Sequence, residues 1–340
     1  CYLAEKIYGF PAGPAVLMAS TGDAGTTAEA YASDYDHDFE VSTPYYYEAD
    51  LQTWGIKAEL TASPEAAYYR FTFPANPHAH LVLNLRRGSE IAVLGNSTVE
   101  GSTDGRAHDE SSDSTGEGAK EYFYAEFSRP FASYQTWQNG SLTHDAKQTG
   151  SHIGFVADYK TIAAEPVEVR VGISFISVEQ AHRNLQREIP GWDFEHIKSQ
   201  TRAVWNQALG AVATVGGTES QRTIFYTALY RSMGRMTDIT EDGKYWSGYD
   251  NAVHDAGGHD FYTDDGTWDT FRSLHPLQLM LNAQQEEDMI RSYIRMYQQS
   301  GWLPSFPSIS GDRAVMIGHH ADQLILDGYA KGYRDFDVNE

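Results

Sequence analysis

The amino-acid sequence predicts a two-domain protein: an antiparallel β-sandwich over residues 1–177, a linker helix over 178–190, and an all-α region over 191–340. Three observations lead there. Through the first half, apolar residues alternate with period two, as on strands with one buried face. After Pro190-Gly191 they recur at helical spacing instead. Before that point, turn signals separate many short strands, the grammar of a layered all-β domain.

Taken in order, strands are expected over residues 45–51 and 56–62, then at Tyr69-Phe71-Phe73 and Leu81-Leu83-Leu85. The Ser-, Gly- and Asp-rich segment 95–118 reads as a loop or long hairpin. Strands follow over 122–127 and 153–157, and Val167, Val169, Val171, Ile173 and Phe175 mark one more. Phe194, Ile197, Val204, Trp205 and Ala208 then share a helical face. Thr218-x-x-Gln221 is a capping box that opens a helix carrying Ile224, Phe225, Ala228 and Leu229. Leu277, Met280 and Leu281 continue the pattern, as do Met289, Ile290, Tyr293, Ile294 and Tyr297, and then Leu324, Ile325 and Tyr329. That makes about five helices after the linker, and Asp335-Phe336-Asp337 looks like the start of another.

The chain has 340 residues, 41 % of them hydrophobic, enough for a sizeable core. Its net charge of −22 repels nucleic acid and anionic lipid, so neither is expected as a partner. Such a surface suits a neutral ligand. Twenty-two Tyr and seven Trp supply aromatic faces, most of which belong in the core. With one cysteine, Cys1, no internal disulfide can form. No run approaches the roughly 18 apolar residues of a membrane span. No signal peptide is visible and no lipobox precedes Cys1, which reads as a boundary rather than a lipid anchor. Asn96-Ser97-Thr98 and Asn139-Gly140-Ser141 match the glycosylation sequon, which has meaning only in a eukaryotic secretory host.

The stretch Tyr262-Thr263-Asp264-Asp265-Gly266-Thr267-Trp268-Asp269-Thr270-Phe271-Arg272 packs Trp, acids and Arg just ahead of Ser273-Leu274-His275-Pro276-Leu277. An apolar ring beside forked charged groups is the chemistry of sugar binding: the ring meets C–H faces, and the carboxylate and guanidinium meet hydroxyls.

This stretch resembles a signature of the family 92 glycoside hydrolases, the exo-acting, calcium-dependent α-mannosidases. Tyr45-Tyr46-Tyr47, Gly55 to Ala62 and Phe71-Thr72-Phe73-Pro74 are similar to that family's sandwich domain. Phe225 to Arg231, Trp302-Leu303-Pro304, Met316 to Asp322 and Tyr329-Ala330-Lys331-Gly332 follow in its order. The resemblance implies that the all-α region is the first half of an (α/α)6 toroid, whose six helix pairs exceed the helices counted here. It also implies a fragment: the family's Gly-rich N-terminal segment, its Gly-Asn-Glu-Pro acid motif and its later Asp-rich base segment are not found in the sequence. The catalytic acid and base are therefore unknown, and so are the metal ligands, with most Ca2+ contacts expected outside this chain. The implied activity is removal of terminal α-linked mannose from mannose-containing glycans such as N-glycans, at α-1,2 linkages and with inversion. The implied place is secreted, periplasmic or cell-surface. The 340 residues alone are expected to be inactive, with the remainder of the catalytic domain as partner if it is a separate chain.

Seven residues are candidates for substrate contact. Trp268 and Asp269 lead, with a structural alternative of a buried Trp beside a helix N-cap at Asp269. Arg272 either binds hydroxyls or pairs with Asp269. His319, His320 and Asp322 open the last helix, where adjacent histidines cannot share a face, so at most one turns to the site. Trp302, after Gly301, walls a subsite or plugs a loop. His254-Asp255, His259-Asp260 and Asp264-Asp265 tempt a metal reading, but lack EF-hand spacing, and a solvated acidic loop fits them better. Two rival functions stand beside the mannosidase: a non-catalytic carbohydrate-binding protein, and a toroid glycosidase acting on another sugar.

Overall fold

A computed structural model of the chain describes residues 15–85, 89–104, 118–313 and 315–338. Cys1 and the middle of the 95–118 segment lie outside the described residues.

The chain divides into two compact units, the first ending at Asn206 and the second running from Gln207. The first unit holds two antiparallel sheets. Five strands pair in the order Ala15–Thr21, Asn76–Leu85, Ile153–Thr161, Ser133–Gln138 and Ser141–Thr143. Nine pair in the order Lys147–Gly150, Ser89–Leu94, Thr98–Asp104, Lys120–Phe127, Glu165–Ser174, Ala66–Phe73, Ile56–Ala62, Tyr46–Leu51 and Val41–Thr43. Their inner faces share one core. Leu81, Leu83 and Phe155 come from one sheet, and Phe71, Phe73, Phe123, Val167 and Val169 from the other. This is the expected β-sandwich. The long-hairpin reading fits too, because Thr98–Asp104 and Lys120–Phe127 pair antiparallel from Thr98↔Glu126 to Asp104↔Lys120. Asn139-Gly140, noted as a sequon, serves as the two-residue turn between Gln138 and Ser141. Both residues take positive φ, at 50° and 81°, as a type I′ hairpin requires.

The outer face of the larger sheet is apolar as well. Tyr46, Ala66 and Tyr68 meet Leu185, Ile189, Phe194 and Ile197. The helix Val178–Glu188, expected as a linker, therefore lies on the sheet, and so does the start of Phe194–Leu209. For this reason the compact sheet unit takes in these two helices and extends past Pro190-Gly191. Arg70 fastens the second helix: it forks onto Glu59 at 2.8 and 2.7 Å, reaches Glu195 at 2.8 Å, and sits 4.1 Å over the Phe194 ring. The first helix approaches the strand Glu165–Ser174 so closely that a Cβ on Gly172 would lie 2.0 Å from the Ala181 carbonyl. Both faces of that strand are therefore covered, not the single Val167-to-Phe175 face expected.

In the second unit four expected helices are present, Glu219–Ser232, Leu274–Leu281, Ala283–Ser300 and Ala321–Ala330, whereas Asp335-Phe336-Asp337, read as the start of another, is not helical. The capping box at Thr218 and Gln221 is formed in both directions. Strands in this part are no longer than four residues, as in the hairpin Lys244–Ser247 with Ala252–Asp255. Ala283–Ser300 buries Met289, Ile290, Tyr293, Ile294 and Met296 along one face. Glu219–Ser232 differs from its expected face and buries only Leu229, leaving Ile224 and Phe225 exposed. Among the described residues no helix is long and apolar enough to cross a membrane.

Gly172→Ala should lower the stability of the sheet unit by about 2–3 kcal/mol, because the new methyl meets backbone that cannot turn away. Urea titration followed by circular dichroism measures this, and an unchanged midpoint would mean that the helix does not press on Gly172.

Candidate functional site

Asp264 and Asp265 are fully buried, not a solvated acidic loop as the sequence suggested. The chain reverses direction here because Asp264 adopts φ of 63°, a left-handed turn that acids tolerate better than most residues. A short helix, Thr267–Thr270, follows. Residues three apart share a face, so Thr267 and Thr270 point inward together. Trp268 and Asp269, between them, are turned outward, with Trp268 47 % exposed.

The inward side meets a buried polar cluster. The Thr270 hydroxyl donates to Asp265 Oδ1 at 2.8 Å, and the Tyr293 hydroxyl donates to Asp265 Oδ2 at 2.6 Å. Tyr293 also meets the Thr267 hydroxyl. His275 bridges two acids, with Nε2 2.9 Å from Asp265 Oδ2 and Nδ1 2.8 Å from Glu286 Oε1. His275, Asp265 and Glu286 are each no more than 1 % exposed. Glu286 and Tyr293 lie two turns apart on one face of Ala283–Ser300, and His275 comes from the first turn of Leu274–Leu281.

The electrostatics follow from this packing. Burial opposes a charge on His275, but Glu286 and Asp265 outweigh it and push the imidazole up to about 10. Burial likewise works to raise Asp265, yet the imidazolium and the Tyr293 and Thr270 hydroxyls hold it below the ordinary carboxylate range. For Glu286 burial wins and the carboxyl is raised. Asp265 is thus the ionised partner of a cationic His275.

The outward side carries the sequence candidates. Asp269 is not an N-cap: Gly266 holds that position, with no side-chain cap bond. Nor does Arg272 pair with it. Among the described residues the Asp269 carboxylate has no hydrogen-bond or ion-pair partner, while Arg272 lies 4.9 Å over the Phe271 ring. The Asp269 carboxylate rests above Gly266, where a Cβ would lie 3.7 Å from Oδ2 and 3.6 Å from the Phe306 ring. His320 stacks on Phe271 at 4.2 Å with the rings 8° from parallel, which brings the start of Ala321–Ala330 to this loop. Its Nδ1 is buried without a hydrogen-bond partner among the described residues. His319 and Asp322 are exposed, and the Asp322 carboxylate accepts from the Gln323 amide at 2.8 Å. Trp302 is 77 % exposed beyond Gly301, which ends its helix at φ of 82°. Among the described residues no ring contact joins it to Trp268.

The other acid–histidine pairs form local bonds. His254 meets Asp250 and His259 meets Asp288, while Asp255 accepts from the Gly257 amide. Among the described residues no group of three or more His, Cys, Asp and Glu is gathered to hold a metal ion. Sequence reasoning missed Asp265, Glu286 and Tyr293 as a unit, and quoted His275 without giving it a role. The available signals were the Thr267/Thr270 spacing and the polar Glu286 on the apolar face of a helix.

His275→Gln should cost about 3–5 kcal/mol near pH 7, since it leaves buried carboxylates without their cation. A raised histidine contributes fully below its unfolded value of about 6.5, and that contribution is lost as pH rises through about 10. The stability gap between wild type and variant should therefore narrow from about pH 7 to pH 10. Denaturant titrations at several pH values test this, with Asp265, Glu286, Tyr293 and Asp327 as the other groups facing the cluster. A gap independent of pH would mean that His275 is neutral.

A model of the glycosyl hydrolase family 92 N-terminal domain matches residues 6–174, and one of the family 92 catalytic domain matches residues 180–340. A family GH92 inverting mannosidase from Bacteroides thetaiotaomicron is 30 % identical, with a TM-score of 0.88 over 96 % of this chain and 44 % of its own. A GH92 α-mannosidase from the same organism, solved with mannoimidazole, shares the fold at 24 % identity and a TM-score of 0.89, covering 97 % of this chain and 45 % of that one. An uncharacterized secreted glycosidase from Arthroderma benhamiae is 25 % identical over 90 % of this chain and 38 % of its own length. The chain spans less than half the length of each of these relatives.

Proposed function

The chain belongs to glycoside hydrolase family 92, and from that premise we propose that it forms part of a secreted, inverting α-mannosidase that removes terminal mannose from glycans, at α-1,2 linkages. The observation that carries this reading is the outward pair Trp268 and Asp269, a half-exposed ring beside a carboxylate with no partner of its own among the described residues. Such a carboxylate accepts two sugar hydroxyls at once, each charged-acceptor bond contributing about 1.5–3 kcal/mol. The indole face takes the C–H side of the same ring. Arg272 and one nitrogen of His320 donate to further hydroxyls, and His319, Asp322 and Trp302 extend the wall. The mannosidase named among the relatives and the mannoimidazole bound by another support mannose as the sugar.

The helical unit is read as the first half of an (α/α)6 toroid. Inversion requires an acid on the leaving oxygen and a base on water, with carboxyls about 6.5–9.5 Å apart. We assign neither role, nor the Ca2+ ligands, to a residue among the described ones, and no step is routed through the metal. This piece supplies recognition: it orients the mannose so that the acid and base meet its anomeric carbon.

Asp269→Asn in the complete enzyme keeps the shape but turns one acceptor oxygen into a donor. The loss should be about 2–4 kcal/mol in transition-state binding, or roughly 30- to 1,000-fold in kcat/KM on an aryl α-mannoside. Wild-type kcat/KM in this variant would remove Asp269 from the substrate site. The 340 residues alone should give no turnover of the same substrate; calorimetric binding of mannose without turnover by the complete protein would favour the carbohydrate-binding alternative.

A further inference from the structure

We propose that His275 is a positioning residue for the sugar-binding loop: by tying Asp265 to Glu286 it fixes the turn on which Trp268 and Asp269 stand. The proposal rests on the reading that these two residues touch substrate.

The turn cannot hold its own orientation. It is a four-residue helix, far below the length at which a helix is stable by itself. Its N-cap, Gly266, has no side chain to bond the free amides. What fixes it is the pair of threonines on either side of Trp268-Asp269. Thr270 bonds Asp265, and Thr267 meets the Tyr293 hydroxyl, which itself donates to Asp265. Both ends of the turn therefore report to one carboxylate. That carboxylate is held in turn by His275, whose other nitrogen is anchored 2.8 Å from Glu286 on the long helix Ala283–Ser300. The line of contacts runs from helix to imidazole to carboxylate to turn, and every member is buried.

Stability alone does not account for such a cluster. Well-packed apolar residues of similar volume would serve a core as well or better than buried charges. Hydrogen bonds differ from apolar contacts in having direction, and direction is what a sugar site needs. A displacement of about 1 Å in a contact residue can cost on the order of a hundredfold in rate. Glutamine at 275 fills similar space but cannot bridge both acids while carrying a charge.

The test uses the complete enzyme labelled with fluorotryptophan, the Trp268 signal being assigned with Trp268→Phe. In His275→Gln that signal should shift or broaden while the others stay in place. Tyr293→Phe, which removes one bond to Asp265 and keeps the ring, should do the same to a smaller extent and covers the case in which His275→Gln does not fold. An unmoved Trp268 signal in a folded variant overturns the proposal. Kinetics give a second readout. His275→Gln should lower kcat/KM by about 30-fold or more per folded molecule. Combined with Asp269→Asn it should add no more than about threefold to the loss of Asp269→Asn alone, since both act through one contact. Multiplicative losses would mean that His275 does not work through this turn, and would also overturn the proposal. If the wild-type enzyme turns over no mannoside, the functional reading fails, and the fluorine signals still decide whether His275 sets the loop.

Discussion

The second unit is organised around one buried ion pair. Asp265 and His275 come from different segments, and neither could be charged in that place without the other. Once they pair, most other polar groups of the cluster have a fixed role. Glu286 takes the second imidazole nitrogen, Tyr293 and Thr270 take the carboxylate, and Thr267 leans on Tyr293. The consequence reaches the surface. The same turn that presents two threonines inward must present Trp268 and Asp269 outward, because in one helical turn the two residues between a pair three apart lie on the far side of the axis.

The sheet unit is held by a different logic. Its inner core is aliphatic and aromatic, but the attachment of helices to its outer face mixes apolar rings with charge. Arg70 and Arg170 both lie on aromatic rings, Phe194 and Trp192, and each also bonds a carboxylate. Guanidinium suits this position, since its plane stacks while its edge donates. Arg170 further donates to the Ile189 carbonyl at 2.7 Å, which closes the end of the first helix onto the strand beneath it.

Much of this was legible in the sequence, and the failures have a physical pattern. The strands rich in alternating bulky residues, such as those around Leu81 and Val167, announce themselves because one period governs them. Ser133–Gln138 and Ala15–Thr21 do not, since small and polar residues interrupt the alternation. Trp268 and Asp269 stood out by their chemistry, but the sequence left a buried Trp beside a cap as the alternative, and only the helix geometry turns both outward. The buried Asp265 did not stand out, because His275 and Tyr293 stand 10 and 28 residues away, and the Thr267/Thr270 spacing is a faint local sign beside an otherwise ordinary acid. Sequence periodicity also could not say which helices belong to which unit. Phe194 and Ile197 look the same whether they face another helix or a sheet.

The outer cover of the nine-stranded sheet has a consequence for how the protein can be divided. The two domain patterns suggest a cut just after the strand Glu165–Ser174, where strand grammar stops. A polypeptide ending there would keep both sheets and all of their inner core, yet would bare Tyr46, Ala66, Tyr68 and the bald ridge at Gly172. It would also leave Arg70 and Arg170 without their aromatic lids. A flat, apolar sheet face of that kind is a surface on which copies stack. The natural seam for a self-contained piece therefore lies beyond Asn206, after the chain has roofed its own sheet.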